Sequence, residues 1–260
     1  MKYLGSSRYS SIYCDTHIHT RLCGHALGEM EEYVLASLKR GLMHIVFLEH
    51  MEEGIITPKT SWLSEKDFDY YFEEGRRLQE KYRDKIEIGL GVECGYNPDC
   101  KDVLLERINS RNWDLIGISC HFQKIEGDQY HFNLLSKNPD TLKRAVQLDT
   151  AALFSKYLDT LLEAIDVING SMLCHLDAPF RWLPSHTLSN HHYQKIDHLL
   201  GRAAAKNLAL EINTSGIAIR NEAFPNKRIL EMASKHQMTF QLGSDAHKPE
   251  DVGNHFKLFS

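Results

Sequence analysis

The chain has 260 residues, 42% apolar and 25% charged, an ordinary balance for a folded globular protein and enough for one large α/β barrel. A formal net charge of -5 argues against a strongly basic face and so disfavours extended nucleic-acid binding, while leaving room for a local cationic pocket. No apolar run reaches the roughly 18 residues of a membrane span, and the start MKYLGSSRYSS has no apolar signal core, so a cytoplasmic protein of one domain, residues 1–260, is expected.

Apolar runs of strand length alternate with amphipathic stretches, and no repeat or Pro/Gly-rich linker interrupts them. That pattern predicts consecutive βα units on a parallel sheet. The first strand runs through Ile12, Tyr13 and Cys14 into Asp15-Thr16-His17-Ile18-His19. Residues two apart on a strand share a side, so His17 and His19 turn two imidazoles to one point, as a chelated metal needs. Alone, His-x-His is a weak signal in a chain with 15 histidines. His25 follows after a Gly24-containing turn, and Gly28 to Arg40 carries Met30, Tyr33, Val34, Ser37 and Leu38 at helical spacing.

The second strand, 43–48, delivers Glu49 and His50. A charged helix over about 64–83 follows, with Ser64 and Asp67 as its cap. Strand three, 86–92, ends at Glu93, and strand four, 113–118, ends at His121. A long insertion and helix occupy about 127–164. Strand five, around 166–174, ends in His175-Leu176-Asp177, and strand six, 208–213, ends in Asn213 and the turn Thr214-Ser215-Gly216. Strand seven, 238–242, opens into Gly243-Ser244-Asp245-Ala246-His247.

Six of these seven strands end in a His, Glu or Asp. In an α/β barrel the catalytic groups come from the C-terminal ends of different strands. The candidate metal ligands are therefore His17, His19, His25, His50, Glu93, His121, His175, Asp245 and His247. They are too many for one tetrahedral ion and suit two or three, with a carboxylate bridging. The other histidines (His44, His131, His186, His191, His192, His198, His236 and His255) are expected to be structural or solvated; His131 and His186 lie where an insertion would cover the barrel mouth. The six cysteines form no CxxC and are expected as free thiols. Alternation should turn Cys94, Cys120 and Cys174 away from the site, leaving Cys23 as the thiol near it.

DTHIHT, LCGHA, LEH, the Glu93 of GVECG, SCHF, CHLD and GSDAHKPEDVG occur in that order from about residue 12 to 256. The whole set resembles the PHP (polymerase and histidinol phosphatase) domain family, within it the histidinol-phosphatase branch. The resemblance implies a distorted TIM-like (β/α)7 barrel with a trinuclear metal site. It implies one ion on His17, His19, Glu93 and Asp245, a second sharing Glu93 with His121 and His175, and a third on His25, His50 and His247. Two departures stand out. Arg220 arrives about two residues late after the NTSG turn, where the branch carries an arginine for the substrate phosphate, and the approach to His121 reads SCHF.

The implied activity is hydrolysis of a phosphate monoester, foremost L-histidinol phosphate to L-histidinol and phosphate in histidine biosynthesis. A metal-activated hydroxide would be the nucleophile, at three divalent ions drawn from Zn, Fe, Mn or Co. Glu93, Asp245 and His247 are the expected catalytic groups, with Asp245, His247 and Asp177 as alternative proton donors to the leaving alkoxide. Arg181 and Arg220 are the candidate phosphate clamps. Asp15 and Asp177 are candidates for orienting imidazoles, and the segment from Ile125 to Leu148 for a lid. The alternatives are another small phosphate ester or, as a different class, a metal-dependent amidohydrolase, for whose bridging lysine only Lys124 is at hand. A purely metal-binding domain is disfavoured by the complete ligand set. A small-molecule substrate is expected, with neither nucleic acid nor membrane as partner.

Overall fold

Seven parallel strands carry the fold of this computed structural model, in which residues 9–260 are described. In chain order, β1 (Cys14–Ile18), α1 (Met30–Lys39), β2 (His44–Glu52), α2 (Glu65–Tyr82), β3 (Glu87–Gly95), α3 (Lys101–Asn109) and β4 (Ile116–Ser119) form the first half. A two-stranded hairpin, β5 (Phe122–Gln123) and β6 (Phe132–Asn133), interrupts the alternation and is followed by α4 (Pro139–Val146) and α5 (Thr150–Val167). The second half is β7 (Met172–Leu173), α6 (Asn190–Ala205), β8 (Ala209–Asn213), α7 (Ser215–Arg220), α8 (Lys227–Lys235) and β9 (Phe240–Gly243). The sheet order β1-β2-β3-β4-β7-β8-β9 wraps until its outer strands meet, the nearly closed (β/α)7 barrel that the resemblance implies, built on the parallel sheet that the alternation predicts. Among the described residues β1 and the end of β9 are joined by the bridge Ile18–Ala246, the His19 N–H on the Ala246 carbonyl (3.0 Å) and the Thr16 hydroxyl on the Leu242 carbonyl (3.0 Å).

Two helix starts show how the chain encodes its own punctuation. Ser64 and Asp67 close a capping box on α2, as the spacing predicts. Ser189 and His192 close another on α6, and the buried His192 also donates from Nε2 to the Ala151 carbonyl (3.0 Å). The main core lies between strands and helices, with Phe47, Leu90, Phe154, Leu161 and Ile212 among its members. A smaller cluster of Val46, Leu48, Leu115, Met172, Cys174 and Ala209 fills the barrel itself. β2 and β3 pair in register from His44–Glu87 to His50–Glu93, so their C-terminal ends are level and deliver neighbouring side chains to one mouth.

Two expectations change. The fifth strand is two residues long, because 166–167 belong to the last turn of α5 and only Met172 and Leu173 find ladder partners on β4 and β8. Cys174 does not turn away from the interior. His175 adopts a left-handed backbone (φ 26°), which breaks the alternation and lets Cys174 and His175 both face inward. No helix of the described residues is long and apolar enough to cross a membrane.

Candidate metal centre and active site

The mouth of the barrel is where the strand ends deliver their imidazoles. β2 alternates Val46, Leu48, His50 and Glu52 toward the interior, and β3 presents Glu93 beside His50. Glu93 is fully buried and sits at the hub. Its Oε1 lies 2.7 Å from His175 Nε2 and 3.1 Å from His121 Nε2. Its Oε2 lies 2.8 Å from His50 Nδ1, 3.5 Å from His17 Nε2 and 3.6 Å from His19 Nε2. Asp245, left-handed at φ 53°, brings Oδ1 to 3.4 Å from His19 Nε2. His25 and His247 meet at 2.9 Å between their Nε2 atoms. All nine candidate ligands thus come together at one end of the barrel.

The electrostatics follow from burial. Desolvation works to raise the Glu93 carboxyl, but His121, His17, His50 and His175 outweigh it and hold it well below the ordinary carboxylate range. Asp245 is likewise held low, its burial overcome by His19, His17 and His247. His25 is pushed down to about 3 by burial and by His50 and His247, so its ring is neutral with a lone pair to offer. Donor atoms of His17, Glu93 and His175, of His17, His19 and Asp245, and of His19, His50 and His247 each fall within 4.8 Å of one another. Glu93 Oε2 and His19 Nδ1 are buried without a hydrogen-bond partner. Imidazole nitrogens and carboxylate oxygens converging in this way fit divalent cations, whose binding displaces the protons that rings such as His121 carry. Cys23 also approaches His25 and His247, but burial pushes its thiol up to about 12.

Several residues that orient this set are not among the sequence candidates. Glu211 Oε1 accepts from His17 Nδ1 (2.6 Å), Glu52 Oε1 accepts from His121 Nδ1 (2.6 Å), and Glu49 accepts from the Thr20 hydroxyl and N–H (2.5 and 2.9 Å) beside His19. Burial raises Glu49 to about 8. The signal for them was an acidic residue inside a strand, as in ALEIN and HIVFLEHME, where charge has no structural reason to be. Asp15 and Asp177, which the sequence leaves open between orienting an imidazole and a structural role, hold main chain. Asp15 accepts from Ser244 N–H and hydroxyl (2.9 and 2.6 Å) and from Gly253 N–H (2.8 Å), while Asp177 caps Asn226. Burial raises both to about 6.

The two arginines have different places. Arg181 lines the cavity in front of the cluster; its Nη1 is 3.8 Å from Asp245 Oδ2, and its Nε and Nη1 have no hydrogen-bond partner. Arg220 is not brought to the cavity. Its Nε and Nη2 donate to the carbonyls of Arg181 (3.2 Å) and Phe180 (3.0 Å), so it braces the turn that carries Arg181. The cavity measures about 650 Å³ and is walled by Phe122, Asn133, Leu135 and Trp182, with Lys137 and Lys248 at its rim. The hairpin segment thus shapes the mouth. Lys124 is exposed and does not line it. His131 lies beyond, its N–H on the Ile56 carbonyl (2.8 Å) and its Nδ1 accepting from the Ile56 N–H (3.0 Å).

Comparison with known proteins places this geometry. The PHP domain family model matches residues 15–215, and the PHP-associated model matches residues 224–260. A Deinococcus radiodurans protein described as "Probable histidinol-phosphatase" is 28% identical over 253 residues, covering 94% of this chain and 89% of its own. A crystal structure from Listeria monocytogenes superposes with a TM-score of 0.82 at 20% identity, covering 95% of this chain and all of that one. The Lactococcus lactis histidinol phosphate phosphatase, solved with zinc, L-histidinol and phosphate, gives 0.71 at 22% identity, covering 91% and 86%. The chain belongs to the PHP domain family.

Proposed function

We propose that this protein is a metal-dependent phosphomonoesterase that hydrolyses L-histidinol phosphate to L-histidinol and phosphate. The observation that carries the reading is Glu93, a buried carboxylate ringed by His17, His19, His50, His121 and His175, with the guanidinium of Arg181 facing the same cavity. The name of the Deinococcus relative and the ligands of the Lactococcus structure support the choice of ester.

His17, His19, Glu93 and Asp245 would hold one ion, Glu93, His121 and His175 a second, and His25, His50 and His247 a third. Zinc is the first to test, and Fe, Mn and Co suit the same donors. When bound, such ions supply positive charge toward the phosphoryl oxygens and acidify a water toward neutral pH.

The protein's own groups do the rest. Arg181 faces the cavity with Nε and Nη1 unpartnered, so it can clamp two phosphoryl oxygens and favour the charge they gain during transfer. Burial lowers the Arg181 pKa, with Asp245 and Glu93 opposing, and a partly desolvated guanidinium gains from a dianion beside it. Asp245, between His19 and Arg181, is held as a carboxylate, and we assign it to accept a proton from the attacking water and relay it to the leaving alkoxide. His247 is held by its Nδ1–H on the Asp245 carbonyl (2.9 Å), which leaves Nε2 toward the site. Phe122, Leu135 and Trp182 give the organic part of a small ester an apolar wall and limit water. We read 1–260 as one working unit, because Asp245 and His247 come from the segment after 224 and every other ligand from before it.

The test is phosphate release from histidinol phosphate beside a panel of small phosphate esters, with Zn, Mn, Fe or Co supplied and with EDTA. Chelator-sensitive preference for histidinol phosphate supports the proposal. Broad, weak turnover removes the substrate and leaves the phosphatase. No turnover of any ester by metal-loaded protein sinks the reading.

A further inference from the structure

We infer that Glu211 is a positioning residue of this centre, one buried carboxylate that fixes both the ring of His17 and the strained turn of His175, and so aims two ligands borne on two different strands. The inference rests on the site being metal-dependent. Glu211 lies in the middle of β8 and is fully buried. Burying a carboxylate is costly unless charge and hydrogen bonds compensate it, and the ion pair it makes is with His17.

What it does there is specific. A carboxylate only accepts, so the 2.6 Å contact from Glu211 Oε1 to His17 Nδ1 places the ring hydrogen on Nδ1. The other nitrogen, Nε2, 2.9 Å from His19 Nε2 and facing Glu93, is then the one that can turn a lone pair to a metal ion, which displaces any proton it carries. The second oxygen, Oε2, accepts the main-chain N–H of His175 at 2.6 Å. His175 is a non-glycine residue at φ 26°, a conformation that relaxes unless held. Its Nε2 meets Glu93 Oε1 at 2.7 Å, so a relaxed turn would carry the ring off target. Asn213 Nδ2 donates to Oε1 (3.2 Å) and steadies the carboxylate. The next strand leaves room for it: a Cβ at Gly243 would fall 2.1 Å from Glu211 Oε1 and 2.7 Å from His17 Cβ.

Glu211→Gln keeps the size but offers only one accepting atom, so one of the two contacts must fail. Zinc affinity of the full chain would be measured by chelator competition, and histidine N–H signals of the zinc-loaded protein by ¹⁵N NMR. The expected result is a His17 Nδ1–H signal in the wild type, with either that signal or the His175 main-chain N–H shifted by loss of its acceptor in Glu211→Gln, and zinc affinity lower by about 10- to 100-fold. Zinc held as tightly by the variant overturns the inference, as does a zinc-loaded wild type with His17 coordinated through Nδ1. The wild-type spectrum decides the matter even if the variant does not fold. Wild type that takes up neither zinc nor manganese overturns the metal reading, and the inference with it.

Discussion

The carboxylate of Glu52 accepts from Nδ1 of His121 at 2.6 Å, and it can do so because the neighbouring strand carries no side chain at that level. A Cβ on Gly95 would lie 1.9 Å from Glu52 Oε1. His121 is thereby turned so that Nε2 meets Glu93. Glu52→Ala and Gly95→Ala should damage the same thing, by withdrawing the acceptor or by pushing it aside. Each is expected to cost about 10- to 100-fold in metal affinity or kcat, read by metal titration and initial rates. Full activity in Gly95→Ala would show that His121 does not depend on Glu52.

Arg181 and Arg220 separate cleanly in a mutational test. Arg181→Ala removes the cation facing the cavity and should lower kcat/KM by about a hundredfold. Arg181→Lys should restore little, because a point charge cannot make the two-pronged contact. Arg220→Ala leaves the cavity wall in place and frees the carbonyls of Phe180 and Arg181. It should act more weakly, mainly on KM and melting temperature. Equal losses from both would move Arg220 into the substrate's own contacts.

Removal of metal should register in stability as well as in rate. A ligand present at a hundred times its Kd stabilises the fold by about 2.7 kcal/mol, and in a chain of this size that corresponds to a melting shift of about 5–10 °C. EDTA-treated protein is therefore expected to melt lower and to recover on adding zinc. Glu93→Ala should abolish both turnover and the metal-dependent shift, since Glu93 touches His17, His50, His121 and His175. A shift unchanged in Glu93→Ala would place the stabilising ion elsewhere.

Glu31 offers a pH prediction far from the site. It bonds Lys81, the Tyr82 hydroxyl (2.6 Å) and Arg77 (2.8 Å), tying α1 to α2. Those partners, Lys81 first, lower its pKa to about 2. A folded-state pKa below the unfolded value means that the contribution is present above pH 4.5 and lost as pH falls toward 2. Glu31→Gln should cost about 0.5–1 kcal/mol at neutral pH. In urea melts the difference should shrink as pH falls through that window. A gap that stays constant with pH would assign the loss to packing.

The sequence made the candidate ligands legible because strand ends are short and regular: His17, His50, Glu93, His121 and Asp245 each close an apolar run. Barrel architecture followed from the same alternation. What supports the ligands was harder to see, since Glu211 and Glu52 acquire meaning only when a distant strand brings an imidazole to them, 194 and 69 residues away. Where the Arg220 guanidinium points was hidden for a similar reason. Its place after the NTSG turn fixes where its Cα lies, while two carbonyls of a loop some 40 residues earlier decide where its guanidinium goes. The inward Cys174 was hidden by one left-handed residue, which no pattern of period two can foresee.

The barrel closes through a few contacts at residues 16–19 and 242–246, and Asp15 binds Ser244 and Gly253 across the same line. His17 and His19 stand on one side of it and Asp245 and His247 on the other. An ion held by both sides would therefore act as a rivet across this join of the wall. Amide exchange at His19, whose N–H spans that join, becomes a gauge of occupancy, slow when the centre is loaded and fast when it is stripped. The candidate ligands and the closure of the fold share the same few side chains, so removing a metal bound there should loosen the wall that holds it.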